Sequence, residues 1–284
     1  MNSIRSEWPL LVFTTGAPLC AGAWVVACVL VLLDAPQAGV LTMDACGVAL
    51  CLLLAASLAC STLHLGKPVK ALRAFRRLGN STVSNEVFMG TLFAAFSILY
   101  LVVAHSLVDE VELWKILLVL VAAFAVLFVV FQCLAYRMRT ITTWNSFAFS
   151  VEFALVALLG GLCLEGAASC AVLSLPYGMR LGLVVAEALC CVAMVLAIGA
   201  QGVVVSHGLD GKADALVRMK RWGAFGFARV VMLVIGSAVW GCGMLSAEPS
   251  VGLTVFGGAV VLGGIVVGRY AFYRCYCNVG LPCA

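Results

Sequence analysis

Residues 116–136 read ILLVLVAAFAVLFVVFQCLAY, with no charged side chain between Lys115 and Arg137. A helix rises about 1.5 Å per residue, so roughly twenty apolar residues cover the hydrocarbon core of a bilayer. The run therefore predicts a transmembrane helix. Seven more runs of this kind flank it, giving spans at 10–33, 45–63, 87–106, 116–136, 147–164, 181–205, 225–245 and 251–272. The chain of 284 residues is 64% hydrophobic and 11% charged, where a soluble domain carries about a quarter charged residues. The expected fold is all-α, a polytopic membrane helix bundle with eight transmembrane helices forming one integral-membrane domain over 1–284. The first run lacks the basic leader and small-residue cleavage site of a signal peptide, so it is expected to remain as a helix.

The charges sort the connectors into two classes. Lys67, Lys70, Arg73, Arg76 and Arg77 lie between spans two and three, Arg137 and Arg139 between four and five, and Lys212, Arg218, Lys220 and Arg221 between six and seven. The opposite connectors carry Asp34 and Asp44, then Asp109, Glu110 and Glu112, and finally Glu248. Basic loops stay on the cytoplasmic side, which places both termini in the cytoplasm. A basic loop could equally be the docking surface for a partner. No basic patch interleaves with aromatics, so nucleic-acid binding is excluded.

The longest polar interruption is residues 64–90, HLGKPVKALRAFRRLGNSTVSNEVFMG, which holds one of the three histidines and five of the seventeen Lys and Arg residues. Ionisable side chains at membrane depth are costly and so mark candidate sites. Threading the chain up and down puts His64, Glu86, Tyr136, Glu152, Gln201, Arg229 and Arg269 in one half of the membrane, beside the basic loops. Glu187 falls near the opposite surface. This one-sided polarity predicts a shallow pocket open to one interface, and not a path across the bilayer. Plainer roles stay open for each residue. His64 suits an interfacial position, Glu86 a helix N-terminus with Ser84 and Asn85 as caps, and Arg73, Arg76 and Arg77 lipid headgroups. Glu152 paired with Arg229 would be structural.

Fourteen cysteines are scattered mostly one by one through apolar runs, where Cys acts as a small hydrophobe. The tight group Cys275-Tyr276-Cys277 with Cys283 lacks the spacing of an iron–sulfur or zinc ligand set, so no metal centre is expected. A b-type haem in a helical bundle commonly needs two facing histidines. His64, His105 and His207 all sit at span ends, and no haem is expected. A pocket with a neutral imidazole and a carboxylate suits a quinol, because both groups accept hydrogen bonds from ring hydroxyls. Electrons would have to leave to a partner bound nearby.

Leu63-His64-Leu65-Gly66, Pro68, Ala71, Gly79, Ser81, Ser84-Asn85-Glu86 and Gly90 resemble, without a gap, the signature of the membrane anchor subunit of the bacterial dimethyl sulfoxide reductase complex, the DmsC family. The likeness extends to Glu7-Trp8-Pro9-Leu10 with Phe13-Thr14, to Gly268-Arg269 with Phe272-Tyr273, and to Tyr136, Trp144 and Arg229. Ile265 stands where the family leads us to expect an acid, and the cysteine content is not a family feature. The resemblance implies an eight-helix anchor in the bacterial cytoplasmic (inner) membrane that binds and oxidises menaquinol in anaerobic respiration. Its partners would be an iron–sulfur electron-transfer subunit and a molybdopterin catalytic subunit, which would carry the iron–sulfur clusters and the molybdenum. It also implies that His64 accepts a hydrogen bond from a quinol hydroxyl and that Glu86 helps take a proton. Arg73 and Arg77 would shape the pocket or dock the partner, with Tyr136, Glu152 and Arg229 completing the quinol-binding set. A transporter, or a passive membrane scaffold for a soluble enzyme, would use the same charges differently.

Overall fold

A computed structural model of the chain describes residues 8–33, 36–64, 75–107, 110–138, 141, 144–172, 175–209 and 215–274; the side chains at 36–45, 63–64, 75, 111, 172, 209 and 215 lie outside that description. Eight long helices run in order among the described residues: α1 Trp8–Leu32, α2 Pro36–His64, α3 Thr82–Ser106, α4 Val111–Tyr136, α5 Phe147–Val172, α6 Tyr177–Leu209, α7 Ala215–Leu245 and α8 Val251–Arg274. A 3-10 turn, Phe75–Arg77, precedes α3. No strand occurs among the described residues. Seven helices are long and apolar enough to cross a membrane, and the searched part of α2, Cys46–Thr62, is a shorter apolar helix. The protein is thus a multi-pass helical membrane protein, and its helices extend past the apolar runs by a turn or more at several ends. Helical hydrogen bonding continues into the polar interface, where hydropathy no longer marks it.

The start of α3 shows how such an end is built. Ser81, with extended backbone, is the N-cap, and its hydroxyl accepts from the Ser84 amide at 3.4 Å. Ser84 and Asn85, expected as caps, lie inside the first turn instead, because the helix begins before the apolar run does. Asn85 Oδ1 accepts from the Gly79 amide at 2.8 Å. Gly79 has φ of +79°, a conformation that costs a residue with a Cβ about 1–2 kcal/mol. Together these bonds fix the chain entering α3, and with it the position of Glu86.

The helices close two four-membered rings. In one, α1 packs on α2, α2 on α3, α3 on α4, and α4 back on α1; in the other, α5 through α8 repeat the same neighbour order. The rings meet along α1 and α5. Gly22 allows that meeting: a Cβ there would run into the carbonyl of Ala157, and one at Gly161 into the backbone of Gly22. In lipid, close backbone approach of this sort supplies the packing that the hydrophobic effect cannot. The buried α1 carries Trp24 at the centre of the first ring, edge-on to Tyr100 at 5.4 Å. Gly236 and Gly257 form a comparable seam between α7 and α8.

Candidate functional site

The ends of the helices on the His64–Glu86 side hold buried polar groups from several helices. Glu152 of α5, Gln201 of α6 and Arg229 of α7 form one knot. Arg229 Nη2 donates to Glu152 Oε1 at 2.9 Å, Gln201 Nε2 donates to Glu152 Oε2, and Arg229 Nη1 donates to Gln201 Oε1 at 3.4 Å. All three side chains are buried. Burying an unpaired carboxylate or guanidinium would be prohibitive, and pairing with a bridging amide removes most of that cost. Gly268 of α8 supplies the room, since a Cβ there would strike the Arg229 guanidinium. The small-residue pair Gly264 and Gly268 therefore has two jobs. Gly264 lets α8 approach Met232 and the Arg229 carbonyl of α7, while Gly268 makes a niche for a charged side chain.

A second group lies towards α3 and α4. Glu86 is buried, and its Oε1 has no hydrogen-bond partner among the described residues. As the fifth residue of α3 it is past the free amides of the first turn, so it does not cap the helix. Gln132 of α4 stands beside its carboxyl, yet neither amide atom of Gln132 completes a hydrogen bond among the described residues. Tyr136 closes α4 among aromatic rings, 5.2 Å from Phe153, 6.1 Å from Trp144 and 6.2 Å from Phe272, centroid to centroid. Trp144 stacks on Phe272 at 4.5 Å and donates its indole N–H to the Phe272 carbonyl at 3.2 Å. The Tyr273 hydroxyl is 3.1 Å from Thr14 Oγ1 and beside that of Tyr136.

Arg269 of α8 joins these groups. It is fully buried, its guanidinium carbon sits 3.5 Å above the centre of the Phe153 ring, and none of its three nitrogens has a hydrogen-bond partner among the described residues. A cation over an aromatic face is favourable, but it satisfies no N–H.

Of the residues named from the sequence, the structure brings together Glu86, Tyr136, Glu152 and Arg229. Arg77 is exposed in the 3-10 turn, away from the buried groups. His64 is the last residue of α2 and its side chain lies outside the described residues, as does the whole of Arg73. Gln132 was missed, and Thr14 and Tyr273 were named only for their family likeness and not as part of a site, since depth along a span says nothing about which way a side chain faces. Ile265 is buried among apolar residues such as Met194, Leu233 and Val261, so the place of the expected acid is dry. Glu187 lies apart and accepts from Ser237 Oγ at 2.5 Å.

The arrangement defines a multi-pass membrane protein with a buried, aromatic-walled polar site at one end of its bundle. A family model described as DMSO reductase anchor subunit (DmsC) matches residues 1–275, and the protein belongs to that family. It is 29% identical to the anaerobic dimethyl sulfoxide reductase chain YnfH of Escherichia coli (strain K12) over 279 residues, 98% of each sequence. It is 28% identical to the C subunit of anaerobic dimethyl sulfoxide reductase from the same organism over the full length of both. The C subunit from Haemophilus influenzae is 30% identical over 58% of this sequence and 59% of its own. No solved structure matches.

Proposed function

We propose that the protein is the quinol-oxidising membrane anchor of a molybdenum-containing reductase of the dimethyl sulfoxide reductase type. The observation that carries this reading is Glu86, a buried carboxyl whose Oε1 has no partner among the described residues, inside the stretch that resembles the family signature. A quinol gives up two electrons and two protons when oxidised to the quinone. Menaquinol suits the site because its fused rings are flat and apolar, and Tyr136, Trp144, Phe153 and Phe272 make that end of the bundle strongly aromatic. Glu86 accepts a hydrogen bond from one ring hydroxyl and takes its proton, while His64, as a neutral imidazole, accepts the hydrogen bond and then the proton of the other. The electrons leave to the iron–sulfur subunit, which passes them to the molybdopterin subunit. Arg77, exposed on the loop before α3, and Arg73 serve docking of that partner. Glu152 and Arg229 act through the shape of the site, since their charges neutralise each other.

On this reading α2 is an eighth crossing. The basic connectors and both termini then face the cytoplasm of a bacterial inner membrane. The test compares His64→Ala and Glu86→Gln with wild type in the assembled complex. Quinol-driven reduction is expected to fall at least about tenfold, as for loss of a hydrogen bond to a charged group. Reduction driven by an artificial donor that reaches the soluble subunits directly should not change. Unchanged quinol-driven turnover in both variants would leave the protein a passive scaffold.

A further inference from the structure

The Arg269 guanidinium is buried with no hydrogen-bond partner among the described residues. One face rests on Phe153 at 3.5 Å, Phe272 lies 5.9 Å from its carbon, and Nε, Nη1 and Nη2 are all buried and unpartnered among the described residues. The acid within its electrostatic reach, Glu152, is already bonded by Arg229 and Gln201. A guanidinium carries five N–H donors in a fixed plane, and stacking on a ring leaves every edge donor free. Burying such donors unmet is costly. With no acceptor for them among the described residues, they are placed to serve one brought from outside.

The position of Arg269 relative to Glu86 narrows what that acceptor is. The two are not paired, yet Tyr136, Tyr273 and Cys133 each lie within electrostatic reach of both. Glu86 and Arg269 therefore border one and the same small group of aromatic and polar side chains. Glu86, with an unpaired oxygen, asks for a donor, and Arg269, with unpaired nitrogens, asks for an acceptor. A flat ring with an oxygen at each end answers both, presenting a hydroxyl to Glu86 and an oxygen lone pair to Arg269. We infer that Arg269 is the second polar anchor of the quinol, holding the ring oxygen opposite the one that Glu86 contacts. This rests on the quinol-oxidising reading above and adds to it an orientation: the ring lies between α3 and α8, with its two oxygens in unlike surroundings. Arg269 favours the quinone carbonyl or a deprotonated ring oxygen over a neutral hydroxyl, so it also holds the product side of the reaction.

The experiment uses a photoreactive naphthoquinone on the wild-type complex in native membranes, so that no variant need fold. Saturable labelling of the α8 peptide around Arg269, together with labelling near Glu86, is expected. Labelling confined to α2 and α3 would overturn the assignment of Arg269 and leave the quinol site standing. No saturable labelling anywhere, with His64→Ala and Glu86→Gln both fully active on quinol, would overturn the underlying reading and this inference with it. In parallel, Arg269→Gln should weaken naphthoquinone binding about ten- to a hundredfold, as expected for one charge-assisted hydrogen bond. Arg269→Lys should recover part of it. A purely structural Arg269 would lower yield and thermal midpoint while leaving the naphthoquinone dissociation constant of the surviving complex unchanged, and that result would overturn the proposal. So would a co-purifying phospholipid lost from Arg269→Gln with naphthoquinone binding intact, which would assign the guanidinium to a headgroup.

Discussion

Arg229 on α7 and Glu152 on α5 form an ion pair at 2.9 Å in which neither side chain is more than 1% exposed. The pair ties the two helices inside the second ring, and Gln201 of α6 is its third member. Breaking one partner of a buried pair strands the other, at about 3–5 kcal/mol. Glu152→Met and Arg229→Met alone are each expected to lower the thermal midpoint of the purified protein sharply. Glu152→Met with Arg229→Met should be far less harmful than the two effects added, because no charge remains to be stranded. Strict additivity in the unfolding curves would show that the two groups do not interact.

Gly268 gives a sharper handle on the same pair. Its missing Cβ is the space the guanidinium occupies. Gly268→Ala should cost about 1–3 kcal/mol through overpacking, more than Gly264→Ala, whose nearest neighbour would be the Met232 Cβ at 3.3 Å. The order of thermal midpoints for the two alanines checks this, and the reverse order would place the guanidinium elsewhere.

The contact of α1 with α5 is backbone against backbone, so it has no flexible side chain to yield. Gly22→Val and Gly161→Val should each prevent accumulation of folded, monodisperse protein. Gly199 of α6 is exposed, and a Cβ there meets nothing within 4 Å. Gly199→Ala should therefore be neutral, or stabilising by up to about 1 kcal/mol from helix propensity. Size-exclusion profiles of the three variants separate the cases.

Ser81 and Asn85 set the entry to α3. Ser81→Ala removes the cap and should cost about 1 kcal/mol. Asn85→Ala frees the Gly79 amide and loosens the turn that aims Glu86. Both are expected to raise the quinol KM more than they lower kcat, since Glu86, the carboxyl proposed to take the proton, is itself intact. A fall in kcat at unchanged KM would contradict that division.

The apolar runs located the helices because burial in lipid leaves a signal that composition alone carries. Depth along each run also grouped Glu86, Tyr136, Glu152, Gln201, Arg229 and Arg269 before any contact was visible, and the Glu152–Arg229 pairing was among the alternatives it raised. Rotation about each helix axis was not legible. Lipid is as apolar as the protein core, so a spanning helix has no wet face to reveal which side packs inward. Gln132 was therefore indistinguishable from a stray polar residue, and Gly268 from ordinary helix-packing glycine. Helix starts were misplaced for a related reason: Thr82 to Glu86 is mostly polar, yet it is helical, with the Ser81 hydroxyl accepting from the Ser84 amide and the Ser81 carbonyl from the Asn85 amide.

The Thr14 and Tyr273 hydroxyls, 3.1 Å apart, join residues separated by 259 positions. They join α1 to α8. Arg269 and Tyr273 belong to α8, so the polar site has no complete form until α8 is inserted and closes against α1. Chains stopped just before α8 would hold the Glu152–Gln201–Arg229 knot yet lack Arg269 over Phe153 and Tyr273 beside Thr14. Order of synthesis thus delays completion of the site until α8 is in place.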